Sequence, residues 1–321
     1  MKIINYSDNN NYKIIEKGKL NYIALGFFDG IHLGHQTILK LCVDEAQKVN
    51  AVSTAILFEP HPDKVIHGLK KYYLLTPLEE RIKKIENLNV QQIIVINFNN
   101  KFQKITAENF IVNILLKKFN MGAVFVGYNY HFGFKKRGNT ELIKKYGYDY
   151  NYKTYIINKK TINGFHNISS TIIKKLLKEG DIESANKLLG YHYEIIGKVV
   201  HGDKRGSTAL SFPTANLEIN DEKLLPKNGV YVAFATFRNK KYRSLVNIGF
   251  KPTIKQKNKN ISVEVFIFDF CDEIYNDILS INLLKRIRSE KCLASLNDLA
   301  SQIKKDKIKA ELYFKNFCSK Y

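Results

Sequence analysis

Apolar residues in the first half of the chain fall alternately in short unbroken runs and at helical spacings. Tyr22 to Phe28 is a run of strand length, and Ser53 to Phe58, Gln92 to Asn97 and Ala123 to Gly127 repeat it. Between the first two, Ile38, Leu41, Cys42, Ala46 and Val49 share one face of a helix expected from about Gly34 to Val49. Thr76, Pro77 and Glu79 read as a capping box opening a second helix, and Thr106 to Phe119 reads as a third. Strands buried on both faces, alternating with amphipathic helices, predict a parallel sheet covered by helices on both sides.

The rhythm changes near Leu189. From Glu194 to about Asn282 only strand-like segments occur: EIIGKVV, TANLEI, GVYVAFATF, KYRSLVNIGF, SVEVFIFDF and ILSINLL. Turn formers separate them, among them Gly202-Asp203, Lys227-Asn228-Gly229 and Arg238-Asn239. Six antiparallel strands without intervening helices predict a small closed barrel, and a last helix is expected from Ser295, its N-cap, toward Phe317. The class is therefore α/β, a Rossmann-like domain over residues 1–187 and a six-stranded antiparallel barrel with a terminal helix over 188–321. A helical connector containing Gly180-Asp181 precedes the boundary.

Composition narrows the function. A chain of 321 residues with 45% hydrophobic content can bury two cores. The net charge of +21 is carried almost wholly by Lys and spread along the chain. Base and phosphate readout favours the planar fork of Arg, so nucleic acid is not expected as the main partner. A positive field that attracts nucleotide phosphates is the milder consequence. The polar N-terminus shows no signal peptide, and no apolar run is long enough to span a bilayer. Cys42, Cys271, Cys292 and Cys318 are scattered and form no CxxC pair, which predicts reduced, mostly buried thiols in a cytoplasmic protein with no membrane partner.

The chemistry-bearing residues cluster at a strand-to-helix turn, Gly26 to Leu39 (GFFDGIHLGHQTIL). Ligands of open parallel sheets bind at the carboxyl ends of strands, and a helix N-terminus there offers free N–H groups to phosphate. Gly30 and Gly34 permit a tight turn and close approach. His32 and His35, three residues apart, can reach one phosphate from the same side and donate hydrogen bonds to developing charge. No Ser or Cys nucleophile is placed beside them, so direct attack by a substrate phosphate is the more natural reaction.

HxGH followed by Ile168-Ser169-Ser170-Thr171 resembles the two signatures of the nucleotidylyltransferase superfamily. Phe58-Glu59-Pro60-His61-Pro62 and Gly127 to Asn139 (GYNYHFGFKKRGN) resemble elements of the bacterial bifunctional riboflavin kinase/FMN adenylyltransferase family. In the second half GDKRG (202–206), FPTAN (212–216), VNIGxxPT (246–253) and VEVxIFDF (263–270) resemble its riboflavin kinase barrel. The resemblance runs from about Leu20 to Asp306. It implies phosphorylation of riboflavin to FMN and adenylyl transfer from ATP to FMN, giving FAD and pyrophosphate, with Mg²⁺ as cofactor and ATP as co-substrate.

By that resemblance His32 and His35 act in adenylyl transfer, with Gly26, Phe28, Asp29, Gly30, Gly34, Ser169, Ser170, Thr171 and Lys174 around ATP. Phe58 and Asn129 would contact flavin, with Tyr128, Phe132 and Gly133 as further packing, and Asn129 is favoured over the flanking tyrosines. Arg288 would lie near the flavin or in a surface ion pair. Gly202, Lys204 and Gly206 would surround phosphate in the barrel half, and Thr214 and Asn216 would hold Mg²⁺ and ATP. Glu264 would take the proton from the ribityl 5′-hydroxyl. Its strand places Val263, Val265 and Ile267 on one face and Glu264, Phe266 and Phe268 on the other. With both faces apolar, a carboxylate is costly unless it has work to do.

The chain departs from the family at Lys174, where Arg is usual, at Ser211 and Asn276, where Gly is usual, and at Leu293, where Phe is usual. Asn suits a left-handed turn and Leu293 is a core exchange, so those two are mild. Lys174 and Ser211 leave two alternatives open. One is a single-activity enzyme, such as a riboflavin kinase with an impaired adenylyl site; the other is a flavin- or nucleic-acid-binding protein on the same scaffold.

Overall fold

The computed structural model describes residues 1–7, 18–158, 168–201, 214–250, 261–291 and 296–318. Two compact units divide it, Met1–Ser170 and Thr171–Tyr321.

The first unit is built on six parallel strands: β1 (Lys2–Tyr6), β2 (Asn21–Leu25), β3 (Val52–Glu59), β4 (Gln92–Asn97), β5 (Met121–Gly127) and β6 (Lys153–Ile157). Their order is β1-β4-β3-β2-β5-β6. The chain runs outward from β2 to β3 and β4 on one side and to β5 and β6 on the other. The crevice beyond the carboxyl end of β2 is thus the topological switch point. Alternation along β2 divides the core: Tyr22 and Ala24 face one cluster, Ile23 and Leu25 the other. Helix α1 (Leu33–Lys48) packs Ile38, Leu39, Cys42, Val43 and Ala46 into the first cluster, where Ile85 of α3 (Leu78–Glu86) joins them. The short α2 (Pro62–Ile66) lies between β3 and α3 in sequence.

The opposite cluster receives α4 (Ala107–Asn109), which continues into a π-helical stretch, Phe110–Leu116, and Ile143 of α5 (Thr140–Asp149). Thr106 caps α4 by accepting from the Asn109 N–H at 3.2 Å. The sequence predicts one ordinary helix over Thr106 to Phe119; the structure has instead this short α-turn followed by π-turns. The edge strands β1 and β6 are additions to the four strands that the pattern predicts.

The second unit holds α7 (Ile182–Leu189) and the closed antiparallel barrel. Its strands are β7 (Tyr193–Val200), β8 (Ala215–Ile219), β9 (Gly229–Phe237), β10 (Lys240–Phe250), β11 (Ile261–Ile267) and β12 (Ile278–Arg288). They close in the order β10-β11-β8-β7-β12-β9. Helix α6 (Ser170–Glu179) precedes α7, with Gly180 in a left-handed turn (φ 87°) between them. Asn186 of α7 donates to the Leu283 carbonyl of β12 and accepts from the Tyr193 N–H of β7. α7 is thereby part of the barrel unit, and residue 187, the expected boundary, falls inside it.

Helix α8 (Leu296–Cys318) lays Ala310 and Phe314 on Val230, Val232, Leu245 and Phe268, the outer face of the barrel. Val263, Val265 and Ile267 line the interior, so both faces of β11 are apolar as the alternation predicts. Asn276 adopts φ 66°, the left-handed turn expected of it. Of the two cysteines whose burial is described, Cys42 is buried and Cys271 is exposed. Gly202, Lys204, Gly206, Ser211, Phe212, Pro213, Pro252, Thr253, Leu293 and Ser295 lie outside the described residues.

Candidate functional site

In the first unit β2 ends at Leu25, three residues before the expected end of the strand, because the backbone then turns left-handed. Phe28 (φ 54°), Gly30 (φ 82°) and Ile31 (φ 37°) all carry positive φ. Such a run costs free energy and persists only where its surroundings over-determine it. Here the ties are explicit. The Gly30 N–H donates to Thr76 Oγ1 at 2.8 Å, and the Thr76 N–H donates to Asp29 Oδ1 at 3.0 Å. Ser170 Oγ donates to the Asp29 carbonyl at 2.8 Å, bringing the ISST segment onto the turn.

Thr76 therefore does not cap α3. Pro77 is the N-cap and makes no side-chain cap bond, so the expected capping box is not formed. The hydroxyl is taken by the buried Gly30 N–H, a donor with a larger desolvation penalty than a helix end near solvent.

The turn delivers His32 to the start of α1. Its Nδ1 accepts from the His35 N–H at 3.3 Å, which caps the helix and leaves the ring proton on Nε2. Gly34 makes room for this: a Cβ there would meet the His32 ring at 3.2 Å. The two imidazoles stack with centroids 3.6 Å apart and 17° between planes. Burial pushes His32 down to about 4. Burial, and then the neighbouring His32, hold His35 well below the usual histidine range. Both are neutral donors at physiological pH, placed where helix N–H groups also point. His35 Nδ1 is buried and has no hydrogen-bond partner among the described residues. Phe28, expected at ATP, is fully buried and sets its ring edge-on to His35 at 5.2 Å, acting as a prop. Gly26 is required beside it, since a Cβ would strike the Phe28 ring at 2.9 Å.

A cavity of about 410 Å³ opens in the same unit. Its walls are aromatic, with Phe27, Phe58, Phe98, Phe102, Phe110 and Phe132 among them, and Asp63, His67 and Lys135 supply polar groups. Such a slot fits a flat heteroaromatic ring system. Phe58, Phe132 and Gly133 lie where the resemblance puts flavin contacts. Of the GYNY residues it is Tyr130 that lines the cavity, while Tyr128 and Asn129 are exposed and are not part of its wall.

Sequence reasoning missed Phe27, Phe98, Phe102, Phe110 and Arg81. Arg81 is completely buried; it donates to the Phe27 carbonyl (3.2 Å) and to Glu59 Oε2 (2.8 Å) and lies over the Phe27 ring. The signal was available: within LEERIKKIE, Arg81 occupies the same face as Leu78 and Ile85.

In the second unit β-register assembles the other candidates. Glu264 on β11 stands opposite Asn216 on β8 and opposite Asn247 on β10, so the three share one face of neighbouring strands. Asn247 was quoted in VNIG but not singled out. Thr214, exposed, lies just before β8. Glu264 is half-buried on the outer face, next to the apolar cluster under α8. Arg288 forks onto Asp306 of α8, with Nε and Nη2 both 2.7–2.8 Å from Oδ2. Asp306 is buried, so this is an anchor for α8 and not the surface pair considered from sequence. Thr171, exposed, and Lys174, half-buried, belong to α6 in this unit, and Ser169 is half-buried at the end of the first.

The two units correspond to two known families. The pattern of FAD synthetase matches residues 15–172, and that of riboflavin kinase matches residues 189–314. A bifunctional riboflavin kinase/FMN adenylyltransferase from Buchnera aphidicola subsp. Schizaphis graminum is 39% identical over 91% of this chain and 93% of its own. The protein of that description from Bacillus subtilis is 36% identical over 95% and 96%. A solved structure from Streptococcus pneumoniae, described as a macrolide-efflux protein, shares the fold over 97% of this chain and 99% of its own. The TM-score is 0.84 and the identity 29%. No helix among the described residues is long and apolar enough to cross a membrane. With these relatives spanning both units, the chain belongs to the bifunctional riboflavin kinase/FMN adenylyltransferase family.

Proposed function

We infer that this chain makes FAD from riboflavin in two ATP-dependent steps, one in each unit. The observation that carries the reading is the pairing, within the first unit, of two stacked neutral histidines at a helix start with an aromatic-walled cavity of about 410 Å³. In that unit a phosphate oxygen of FMN attacks the α-phosphorus of ATP. The new P–O bond forms as the bond to the β-phosphate oxygen breaks, and pyrophosphate leaves. His32 Nε2–H and the first N–H groups of α1 donate to the charge that builds on the phosphoryl oxygens. Being neutral, the histidines add donors without needing to shed a proton first. Phe58, Phe102, Phe110 and Phe132 hold the isoalloxazine, and Ser170 serves the ATP phosphates; Thr171 and Lys174 are assigned to them by the resemblance alone.

In the barrel, Glu264 accepts the proton of the ribityl 5′-hydroxyl as that oxygen attacks the γ-phosphorus, and ADP leaves. The neighbouring donor set consists of oxygens: the Asn216 amide, the Thr214 hydroxyl and the Glu264 carboxylate. Oxygen donors of this kind suit Mg²⁺, with phosphate and water completing its shell. Thr214 and Asn216 would hold Mg²⁺ there, and it would supply charge neutralisation at the transferring phosphate. Gly202, Lys204 and Gly206 at the phosphates, Arg288 at the flavin of the barrel and Asn129 at the flavin of the first unit are assigned by the resemblance alone. The reading places the enzyme in the cytoplasm, where ATP and riboflavin meet.

Incubation of the purified chain with riboflavin, ATP and Mg²⁺, resolved by chromatography over time, is expected to give FMN first and FAD after it. FMN alone would remove the adenylyl half of the reading. No product from riboflavin, with FAD formed from supplied FMN, would remove the kinase half.

A further inference from the structure

We propose that the segment from Thr76 to Arg81 is a positioning element for adenylyl transfer, in which Thr76 sets the nucleotide side of the catalytic turn and Arg81 sets its flavin side. The proposal rests on the reading of the first unit as the adenylyl site. Thr76 and Arg81 flank the N-cap of α3, and both are fully withdrawn from solvent. Their described hydrogen bonds go to groups other than the histidines. Each instead holds a different residue of the turn that connects the flavin cavity to His32.

Thr76 is joined to the turn in both directions, its N–H to Asp29 and its hydroxyl from Gly30, across 47 and 46 residues of sequence. Gly30 sits between two further left-handed residues, Phe28 and Ile31, and the chain enters the His32 cap directly after them. The Thr76 oxygen is therefore an acceptor that holds a strained backbone in the one arrangement that presents His32. Valine has nearly the same shape but no acceptor, and would leave the buried Gly30 N–H facing a methyl group.

Arg81 acts three residues upstream of Gly30. Its guanidinium binds the Phe27 carbonyl, lies 4.8 Å from the centre of the Phe27 ring, and is paired with Glu59 at the end of β3. The Phe27 ring also meets His61, and Phe27 is part of the cavity wall. Removing the guanidinium frees a wall of the flavin slot while leaving the Thr76 ties in place.

The two residues should thus separate binding from chemistry. In the full-length chain supplied with FMN and ATP, Thr76→Val is expected to lower kcat by about tenfold with KM for FMN within about twofold of wild type. Thr76→Ser, which keeps the oxygen, is expected to restore most of the rate. Arg81→Met is expected to raise KM for FMN by about tenfold with a smaller change in kcat. Arg81→Lys keeps a charge for Glu59 but cannot serve both partners, and is expected to shift KM in the same direction by a few-fold.

The riboflavin kinase step of the same preparations is the internal control and should stay at wild-type rate. The proposal is overturned if both variants lower kcat alike with KM unmoved, if Thr76→Val runs at the wild-type rate, or if the kinase step falls in parallel. Wild-type protein that forms no FAD from FMN would instead defeat the assignment of the site itself.

Discussion

The two units solve the problem of phosphate chemistry with opposite materials. The first keeps its ionisable groups buried and uncharged, and depends on a strained loop to aim them. The second sets a carboxylate in a regular row of strands, where neighbours come from sheet register and no unusual backbone is needed among the described residues. A neutral donor can sit still while negative charge develops beside it, so burial improves it. A general base must remain ionised until the proton arrives, so it cannot be buried to the same depth. On the proposed roles, half-exposure of Glu264 and enclosure of His35 would be two consequences of one electrostatic rule.

The contrast is broken most severely by removing the acting group from one unit at a time. Glu264→Gln retains shape and hydrogen-bonding capacity but cannot take a proton. Its expected effect is a loss of FMN formation by about 100-fold or more, with FAD formation from supplied FMN unchanged. His35→Ala should do the converse, lowering FAD formation by about 100-fold while sparing FMN formation. Initial rates for each step in each variant measure the four values. A loss of both steps in either variant would mean that the sites are not independent.

Protonation sharpens the comparison next. In the folded chain His32 titrates at about 4, against 6.5 for the exposed residue. Below pH 6.5 the unfolded chain takes up a proton that the folded chain refuses, so stability of the first unit falls as pH drops from about 6.5 toward 4. The window carries on the order of 3 kcal/mol from His32, and His35 acts in the same direction. Urea unfolding of the first unit at pH 7 and pH 5 should therefore show a lower midpoint at pH 5. FAD formation should show no acid limb near 6.5, since neither histidine titrates there. An inflection at that pH would mean that one of the pair is solvated during turnover.

How far each unit is legible in the sequence follows from the same difference. Gln92 to Asn97 and Gly229 to Phe237 are strands to the residue, because local preference and packing agree there. Tyr22 to Phe28 reads as one strand because apolar residues continue through Phe27 and Phe28; these have left the sheet, one to line the cavity and one to support His35. Thr76 reads as a cap and serves the turn. Both errors occur where local preference yields to the site, as expected of strained functional backbone. Phe98, Phe102 and Phe110 look like ordinary core from sequence, and only the fold gathers them around a void. In the barrel, each member of the Asn216–Glu264–Asn247 row sits on an expected strand. Their adjacency depends on register between strands distant in sequence, which alternation alone does not fix.

The smallest expected effect tests a single departure from the family. Lys174 lies one helical turn after Ser170 in α6, and Ser170 is the residue tied to the Asp29 carbonyl. By resemblance an Arg is usual there. Lysine brings the same charge as a flexible point, whereas Arg offers two parallel N–H groups to one phosphate. If this position serves the triphosphate, Lys174→Arg should raise kcat/KM for ATP in FAD formation by a few-fold and leave FMN formation alone. The change is expected to be modest, because on the proposed reading the histidines and the start of α1 supply donors as well. Equal rates for the two side chains would mean that charge alone is required at 174. A fall in the Arg variant would mean that its surroundings have adapted to lysine and that the departure is part of how this chain holds its nucleotide.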